Sequence, residues 1–276
     1  MLTTDKLTIR FGGHVAVNSV SCAFAPGTLT AIVGPNGAGK TTYFNLISGQ
    51  LKASEGRVHL GGRELTHLAP SARTHAGLGR AFQLTNLFPH LSVRENMRLA
   101  VQATLPGPHR RGLNLWSIWS DHREISERAD AVLRQVALHE RAEHAVASLP
   151  HGDQRKLEVG LLMALQPQVY MFDEPTAGMS HDEAPVILDL IRELKKDKSK
   201  IILLVEHKMD VVRELADRII VLTNGTLVAD GSPEEVIASP VVQQAYLGMA
   251  PKDAGGSTAI SPDHGLAPTG AEGEQP

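Results

Sequence analysis

Along the first 60 residues apolar and polar side chains alternate in short runs, KLTIRF (6–11), VNSVSCAF (17–24), LTAIV (29–33) and GRVHL (56–60), punctuated by glycine and proline. A period of two with such breaks predicts a small β-rich layer. Helical spacing takes over after Lys40 and dominates from Leu91 to Leu165. There VRENMRLAVQAT (93–104), REISERADAVLRQVAL (123–138) and QRKLEVGLLMAL (154–165) place apolar residues three and four apart, which predicts an inserted helical block. From Gln168 the pattern reads strand, helix, strand, helix, strand: VYMFDE (169–174), DEAPVILDLIRELKK (182–196), KIILLVE (200–206), KMDVVRELA (208–216) and RIIVLT (218–223). The unbroken apolar strands predict a parallel sheet covered on both faces.

Composition narrows this picture without redirecting it. With 276 residues, 42% of them hydrophobic, and a formal charge of -3, the chain has enough material for one large or two small domains with a real core. No stretch concentrates Lys and Arg on the scale that a phosphate backbone requires, so nucleic acid is not an expected partner. The single cysteine, Cys22, excludes an internal disulfide and reads as a buried thiol in a strand. The opening MLTTDKLTIR has no apolar leader core, which predicts a chain that stays in the cytoplasm. Runs such as IILLV (201–205) are far below the roughly 20 apolar residues of a membrane span, so any membrane association is expected to run through a partner. LPGPHRRGLNLWSIWSD (105–121) carries both tryptophans, either as an exposed docking surface or as a loop with two hydrophobic anchors. The tail beyond residue 248 is rich in Gly, Pro, Ser and acid and is expected to be disordered.

The strongest chemical signal is GPNGAGKTT (34–42), which follows the apolar strand LTAIV and precedes the helical YFNLISG. This is the G-x-x-x-x-G-K-[ST] pattern of a phosphate-binding loop. Asn36, Gly37, Ala38 and Gly39 are expected to turn backbone N–H groups toward phosphate oxygens, with the helix start beyond Thr42 adding its positive end. Lys40 is expected to reach the β and γ phosphates and Thr41 to bind Mg²⁺. A second contact to the metal is expected from Asp173, at the end of VYMFDE, because an acid closing an apolar strand is costly unless it faces a cation or a reaction. Glu174, directly after it, is positioned as the base that polarises an attacking water. The nearest imitation of a guanine reader is HKMD (207–210), where His207 stands in place of Asn, and that favours ATP over GTP. His207, ending IILLVEH, is instead placed to bond a γ phosphate.

The order of FGG at 11, GPNGAGKTT at 34, AFQLTNLF at 81, LPHGDQ at 149, VYMFDEP at 169, AGMS at 177 and VEH at 205 resembles the ATP-binding cassette family over residues 2–248. The resemblance implies an α/β fold: a P-loop NTPase (RecA-like) core with a mixed β-sheet, an N-terminal antiparallel β subdomain and an α-helical subdomain inserted at roughly 88–165. It also implies that Phe11 stacks on adenine, that Val17 touches the nucleotide, that Gln83 contacts Mg²⁺ or the attacking water, and that His207 acts as the switch histidine. Within the family, RFGGHVAVNSVS, RAFQLTNLFPHLSVRENMRLA, DEPTAGMS and the ending QQAYLG are similar to the ATPases of branched-chain amino-acid importers. Importers of urea, amides and other small solutes share these patterns.

Cassettes of this family sandwich each ATP between one subunit's P-loop and the partner's signature segment. The resemblance assigns that segment to SLPHGDQRK (148–156), with Leu149, His151, Gly152 and Asp153 facing the second subunit's nucleotide. Pro150 replaces the usual Ser, His151 a Gly and Asp153 a Gln, while Ser180 stands where an Asp is common. Pro150 offers neither hydroxyl nor N–H, so the contact is expected from the helix start at Gly152. The expected partners are permease transmembrane subunits, a second cassette (the same chain or a related one) and, through the permease, an extracytoplasmic solute-binding protein. The expected location is the cytoplasmic face of the cell membrane. Leu87, Phe88 and Leu91 either receive a short permease helix or pack within the helical subdomain. A soluble cassette in DNA repair or on ribosomes fits less well, because there is one P-loop and no sustained heptad pattern.

Overall fold

The computed structural model describes residues 1–81, 87–104, 122–179 and 182–247. Strands β1 (Leu2–Phe11) and β2 (His14–Phe24) form an antiparallel hairpin in which Phe11 opposes His14. With β4 (Glu55–Leu60) and β5 (Arg63–Glu64) they make a four-stranded antiparallel sheet, in the order β2-β1-β4-β5. The second sheet takes β3 (Leu29–Val33), β6 (Leu78–Ala81), β7 (Val169–Asp173), β8 (Ile201–Val205), β9 (Arg218–Thr223) and β10 (Thr226–Gly231). Its order is β10-β9-β3-β8-β7-β6, parallel throughout except for the β9–β10 hairpin. Asn224 and Gly225 both have positive φ, 48° and 74°, as a tight two-residue hairpin turn needs.

The unbroken apolar strands are explained by their two neighbours. Along β7, Val169 and Met171 join one core while Tyr170 and Phe172 join the other, and Ile201 and Leu203 of β8 divide from Ile202 and Leu204 in the same way. One core lies between the two sheets and is filled by helix α1 (Lys40–Ser48), whose Tyr43, Phe44, Leu46 and Ile47 pack with Leu2, Leu7 and Phe24. The other is capped by the helical block, α3 (Val93–Gln102), α4 (His122–Gln135) and α5 (His151–Ala164), and by α6 (Ala184–Lys196) and α7 (Met209–Leu215). Two short helices, α8 (Pro233–Ala238) and α9 (Pro240–Leu247), follow β10. Cys22 is buried in β2, as its alternating context predicts.

Element ends depart from the periodic pattern where local turns win. Ser92 and Glu95 close a reciprocal capping box at the start of α3. The spacing predicts a helix to Leu138, but α4 stops at Gln135: Ala137 turns to φ 55° and the Leu138 amide bonds back to Leu133 O at 2.8 Å. Strands β6 and β10 carry no clear period of their own and take their form from the strands they pair with. Trp116, Trp119 and the tail beyond Leu247 lie outside the described residues. Among the described residues no helix is long and apolar enough to cross a membrane.

Helix α2 (Pro70–His75) supplies a buried clasp. Arg73 donates from Nη1 to Leu46 O (2.7 Å) and Ile47 O (2.6 Å), from Nη2 to Thr66 O (2.7 Å) and from Nε to Leu68 O (3.1 Å). It thereby ties the C-terminal end of α1 to the edge of the antiparallel sheet, although burial pushes its pKa down. Arg73→Met leaves these carbonyls without their donor at a cost of about 3 kcal/mol. The midpoint of thermal unfolding is expected to fall by roughly 6–12 °C, and an unchanged midpoint in calorimetry would show that the clasp contributes nothing.

Candidate functional site

The loop 34–39 joins β3 to α1 under tight steric control. At Gly34, φ is 150° and a Cβ would lie 2.1 Å from Leu222 O; at Gly39, φ is 93° and a Cβ would lie 2.5 Å from Ala16 O. Neither place admits a side chain, so the strands behind the loop dictate its path. Asn36 and Gly37 are exposed at its crest and Ala38 is buried beneath. Gly39 is the N-cap of α1 and has no side chain to satisfy the first turn, which also carries no acid. The N–H groups of that turn are therefore open to an anion.

Lys40 is buried and bridges the loop, its Nζ donating to Gly34 O at 2.7 Å and to Pro35 O at 3.0 Å. Burial lowers its pKa, while the nearby charges of Glu174 and Asp173 act to raise it. Thr41 is exposed and Thr42 half-buried on the same turn.

Asp173 ends β7, its side chain fully enclosed. Burial pushes its carboxyl pKa up and Arg80 acts in the opposite sense, with Arg80 Nη2 donating to Asp173 Oδ2 at 2.8 Å. The second oxygen, Oδ1, is buried without a hydrogen-bond partner. Glu174 follows with φ 49°, a left-handed conformation that costs a residue with a side chain about 1–3 kcal/mol. Strain of this kind is retained where the surroundings over-determine it, and here the Glu174 amide is held by Val205 O at 2.9 Å. The bend brings Glu174 Oε1 to 2.6 Å from His207 Nε2, beyond the end of β8.

The remaining expected residues separate into exposed and inward-facing ones. Phe11 is 51% exposed at the β1–β2 hairpin, open to a stacking ligand. Val17 differs from expectation: it is fully buried, and its Cγ2 would stand 3.5 Å from a Cβ on Gly39, so it supports the loop from behind. Leu149 is likewise buried in the helical core. Helix α5 starts one residue earlier than expected, at His151, with Pro150 as its N-cap at φ −55°, ψ 155°. His151 is exposed. Asp153 is buried and its carboxylate is taken by Lys156 and Arg141, each at 2.9 Å, so this acid secures the helix start instead of facing outward. Gln83 and Ser180 lie outside the described residues.

Three residues with no expected role also enter the site. Arg80 is a lone cation in LGRA, and only the pairing of β6 with β7 brings it to Asp173. Glu206 is buried; its Oε1 accepts from Thr176 Oγ1 at 2.8 Å and its Oε2 from the amides of His207 (2.7 Å) and Lys208 (3.2 Å). It fixes the turn bearing His207 against the turn bearing Glu174. Glu183 places its carboxylate against Gly152, where an added Cβ would meet Oε1 at 2.1 Å. A negative group there is favoured by the N-terminal end of α5.

Comparison with known proteins now adds to this geometry. A family profile described as ABC transporter matches residues 17–177, and one described as branched-chain amino acid ATP-binding cassette transporter matches residues 226–248. The high-affinity branched-chain amino acid transport ATP-binding protein LivG of Escherichia coli (strain K12) is 38% identical over 251 residues, which cover 91% of this chain and 98% of LivG. Among solved structures, the ADP conformation of MJ1267, an ATP-binding cassette of an ABC transporter, superposes with a TM-score of 0.75 at 29% identity, covering 90% of this chain and 98% of that one. The dimeric post-hydrolysis state of the cassette MJ0796, bound to ADP and Pi, gives 0.72 at 25% identity over 84% of this chain and 99% of that one.

Glu206 offers a direct check on the geometry. Glu206→Ala removes the acceptor of three donors and is expected to lower stability by about 2–3 kcal/mol. Amide hydrogen exchange at His207 and Lys208 should accelerate at least tenfold, with Glu206→Gln intermediate, whereas unchanged exchange would show that the turn holds its shape without the carboxylate.

Proposed function

The chain belongs to the ABC transporter family of ATP-binding proteins, and from that premise we propose that it is the ATPase subunit of an importer for branched-chain amino acids. The observation that carries the catalytic part is the cluster of Asp173, Glu174 and His207 at adjoining strand ends beside Lys40, with His207 Nε2 2.6 Å from Glu174 Oε1. The solute follows from the relatives: LivG is named for branched-chain amino acid transport, and the profile that matches residues 226–248 carries the same description.

In this reading the amides of residues 36–42 and the Lys40 ammonium receive the phosphates, and Phe11 stacks on the adenine. Thr41 and Asp173 hold Mg²⁺, with Gln83 as a further ligand. Asp173 fits that role because its buried Oδ1 has no donor of its own, as an oxygen reserved for a cation or its water would. Among the described residues no group of three acids, histidines or cysteines could hold a metal alone. The remaining ligands then come from water and phosphate, the usual arrangement for Mg²⁺. When bound, the ion screens the phosphate charge.

Glu174 takes the proton of the attacking water. Its bond to His207 supports a simple exchange: Nε2 cannot serve Glu174 Oε1 and a phosphate oxygen equally, so its move to the γ phosphate releases the carboxylate to act as base. Glu206 keeps His207 within reach of both. The partner cassette closes the site with its own α5 start. There Pro150 gives the first turn no side-chain cap of its own and His151 is exposed, while Leu149 and Asp153 hold the segment from inside.

Transport requires this cycle to reach a membrane partner. An apolar groove of about 280 Å³ runs between α3 and α5, lined by Leu87, Phe88, Leu99, Ala100 and Leu161. Phe88 is 56% exposed at its rim, Leu91 is half-buried and Leu87 packs against the helical core, which supports docking at Phe88 and packing at Leu87. We assign the groove to a short cytoplasmic helix of the permease; in this reading the cassette lies on the cytoplasmic face of the membrane and is linked indirectly to the solute-binding protein.

Glu174→Gln is expected to retain ATP binding, to lose turnover by 10²-fold or more and to accumulate as a dimer in size-exclusion chromatography with ATP. Full ATPase activity in that variant would remove Glu174 from the chemistry. Phe88→Asp, in the complex with its permease, should leave basal turnover intact and abolish uptake of radiolabelled leucine, isoleucine and valine; normal uptake would reject the docking assignment. If the wild-type complex takes up urea or an amide instead of these amino acids, the solute changes and the ATPase reading stands.

A further inference from the structure

Arg80 is the third residue of β6 and touches two places that the reaction must connect. Its side chain is 7% exposed. On one side Nη2 donates to Asp173 Oδ2 at 2.8 Å, while Nη1 donates to Asn45 Oδ1 at 2.6 Å and Ser48 Oγ at 2.9 Å on α1. The guanidinium also lies 5.4 Å from the centre of the Phe44 ring. On the other side Arg80 lines the apolar groove with Phe88, Leu99 and Glu158. A single side chain therefore spans the distance from the groove to the carboxylate at the end of β7.

Resting on the functional reading above, we propose that Arg80 is a positioning residue that couples occupancy of the groove to the metal-holding carboxylate of Asp173. It grips Oδ2 and leaves Oδ1 to the cation. Partners of metal ligands that act in this way typically change metal affinity 10–100-fold when removed. A planar fork with several donors suits the task, because it holds carboxylate, amide oxygen and hydroxyl in one fixed arrangement, which a lysine cannot reproduce. A helix entering the groove presses on the same guanidinium, and any displacement there passes to Asp173 without an intermediate residue. Packed interiors transmit such shifts because they contain little space to absorb them.

The purely structural alternative is that Arg80 only ties β6 to α1 through Asn45 and Ser48. The two are separated by titrating Mg²⁺ against the full-length chain bound to a fluorescent ATP analogue, with parallel binding in EDTA and thermal midpoints for each variant. Arg80→Met is expected to bind nucleotide in EDTA within about twofold of wild type while its Mg²⁺ half-saturation rises about tenfold or more. Arg80→Lys should lie between, and it carries the test if the methionine variant does not fold.

For the groove, Ala100→Trp fills the cavity from α3. It should shift Mg²⁺ half-saturation at least threefold in the Arg80 chain and leave it unchanged in Arg80→Lys. Wild-type Mg²⁺ half-saturation in the Arg80 variants overturns the positioning role. An equal shift from Ala100→Trp in both backgrounds, or in neither, overturns the coupling. Failure of the wild-type chain itself to bind the nucleotide overturns the proposed function and this inference with it, which keeps the two failures distinguishable.

Discussion

A carboxylate at the end of a strand that is buried on both faces has to be neutralised or put to use, and most of the site is arranged around that requirement at Asp173. Burial alone pushes its pKa up, and isolated charge in such a place is untenable. Arg80 answers from the neighbouring strand with a bond at 2.8 Å, and Asn45 and Ser48 of α1 take the rest of the guanidinium. The cost of enclosing this pair is large, and pairs of this kind are weak contributors to net stability. Their retention makes sense as placement: Arg80 holds one oxygen of Asp173, and the other is buried without a hydrogen-bond partner.

The same economy governs the loop in front of it. Strand β3 is buried along its whole length, so its direction is set, and the two glycines at either end of the loop meet backbone oxygens of β9 and β2 too closely for any side chain. The loop path thus comes from the sheets behind it. Lys40 lies across it, Val17 supports it, and α1 drives Tyr43 and Phe44 into the core between the two sheets. Glu174 is the strained member, bent into a left-handed turn where its carboxylate meets His207. Glu206 distributes its two oxygens over three donors to hold that meeting in place.

Much of this was legible beforehand. The order strand, loop, helix around GPNGAGKTT, the acid pair after VYMF and the histidine after IILLVE are local patterns, and each appeared where its period implied. Among the elements that no period marks, β6 beside β7 and β10 folded back on β9 by Asn224-Gly225 are short strands that borrow their form from partners. Val17 and Asp153 differ from expectation for a related reason. Their place in a motif marks them as near a ligand, but which way a side chain faces depends on what packs behind it, and here the core takes Val17 while Lys156 and Arg141 take Asp153.

Hydrophobic period, glycines at fixed spacing and acids placed where an apolar strand stops are local properties, and they mark the α/β class, the loop at 34–39 and the acid pair at 173–174 along the chain. How those groups are held is a matter of packing. Residues 80 and 173, 176 and 206, and 152 and 183 are far apart or patternless along the chain. Their meetings arise from strand order and helix packing, which fix distances to a few tenths of an ångström and which no local period encodes.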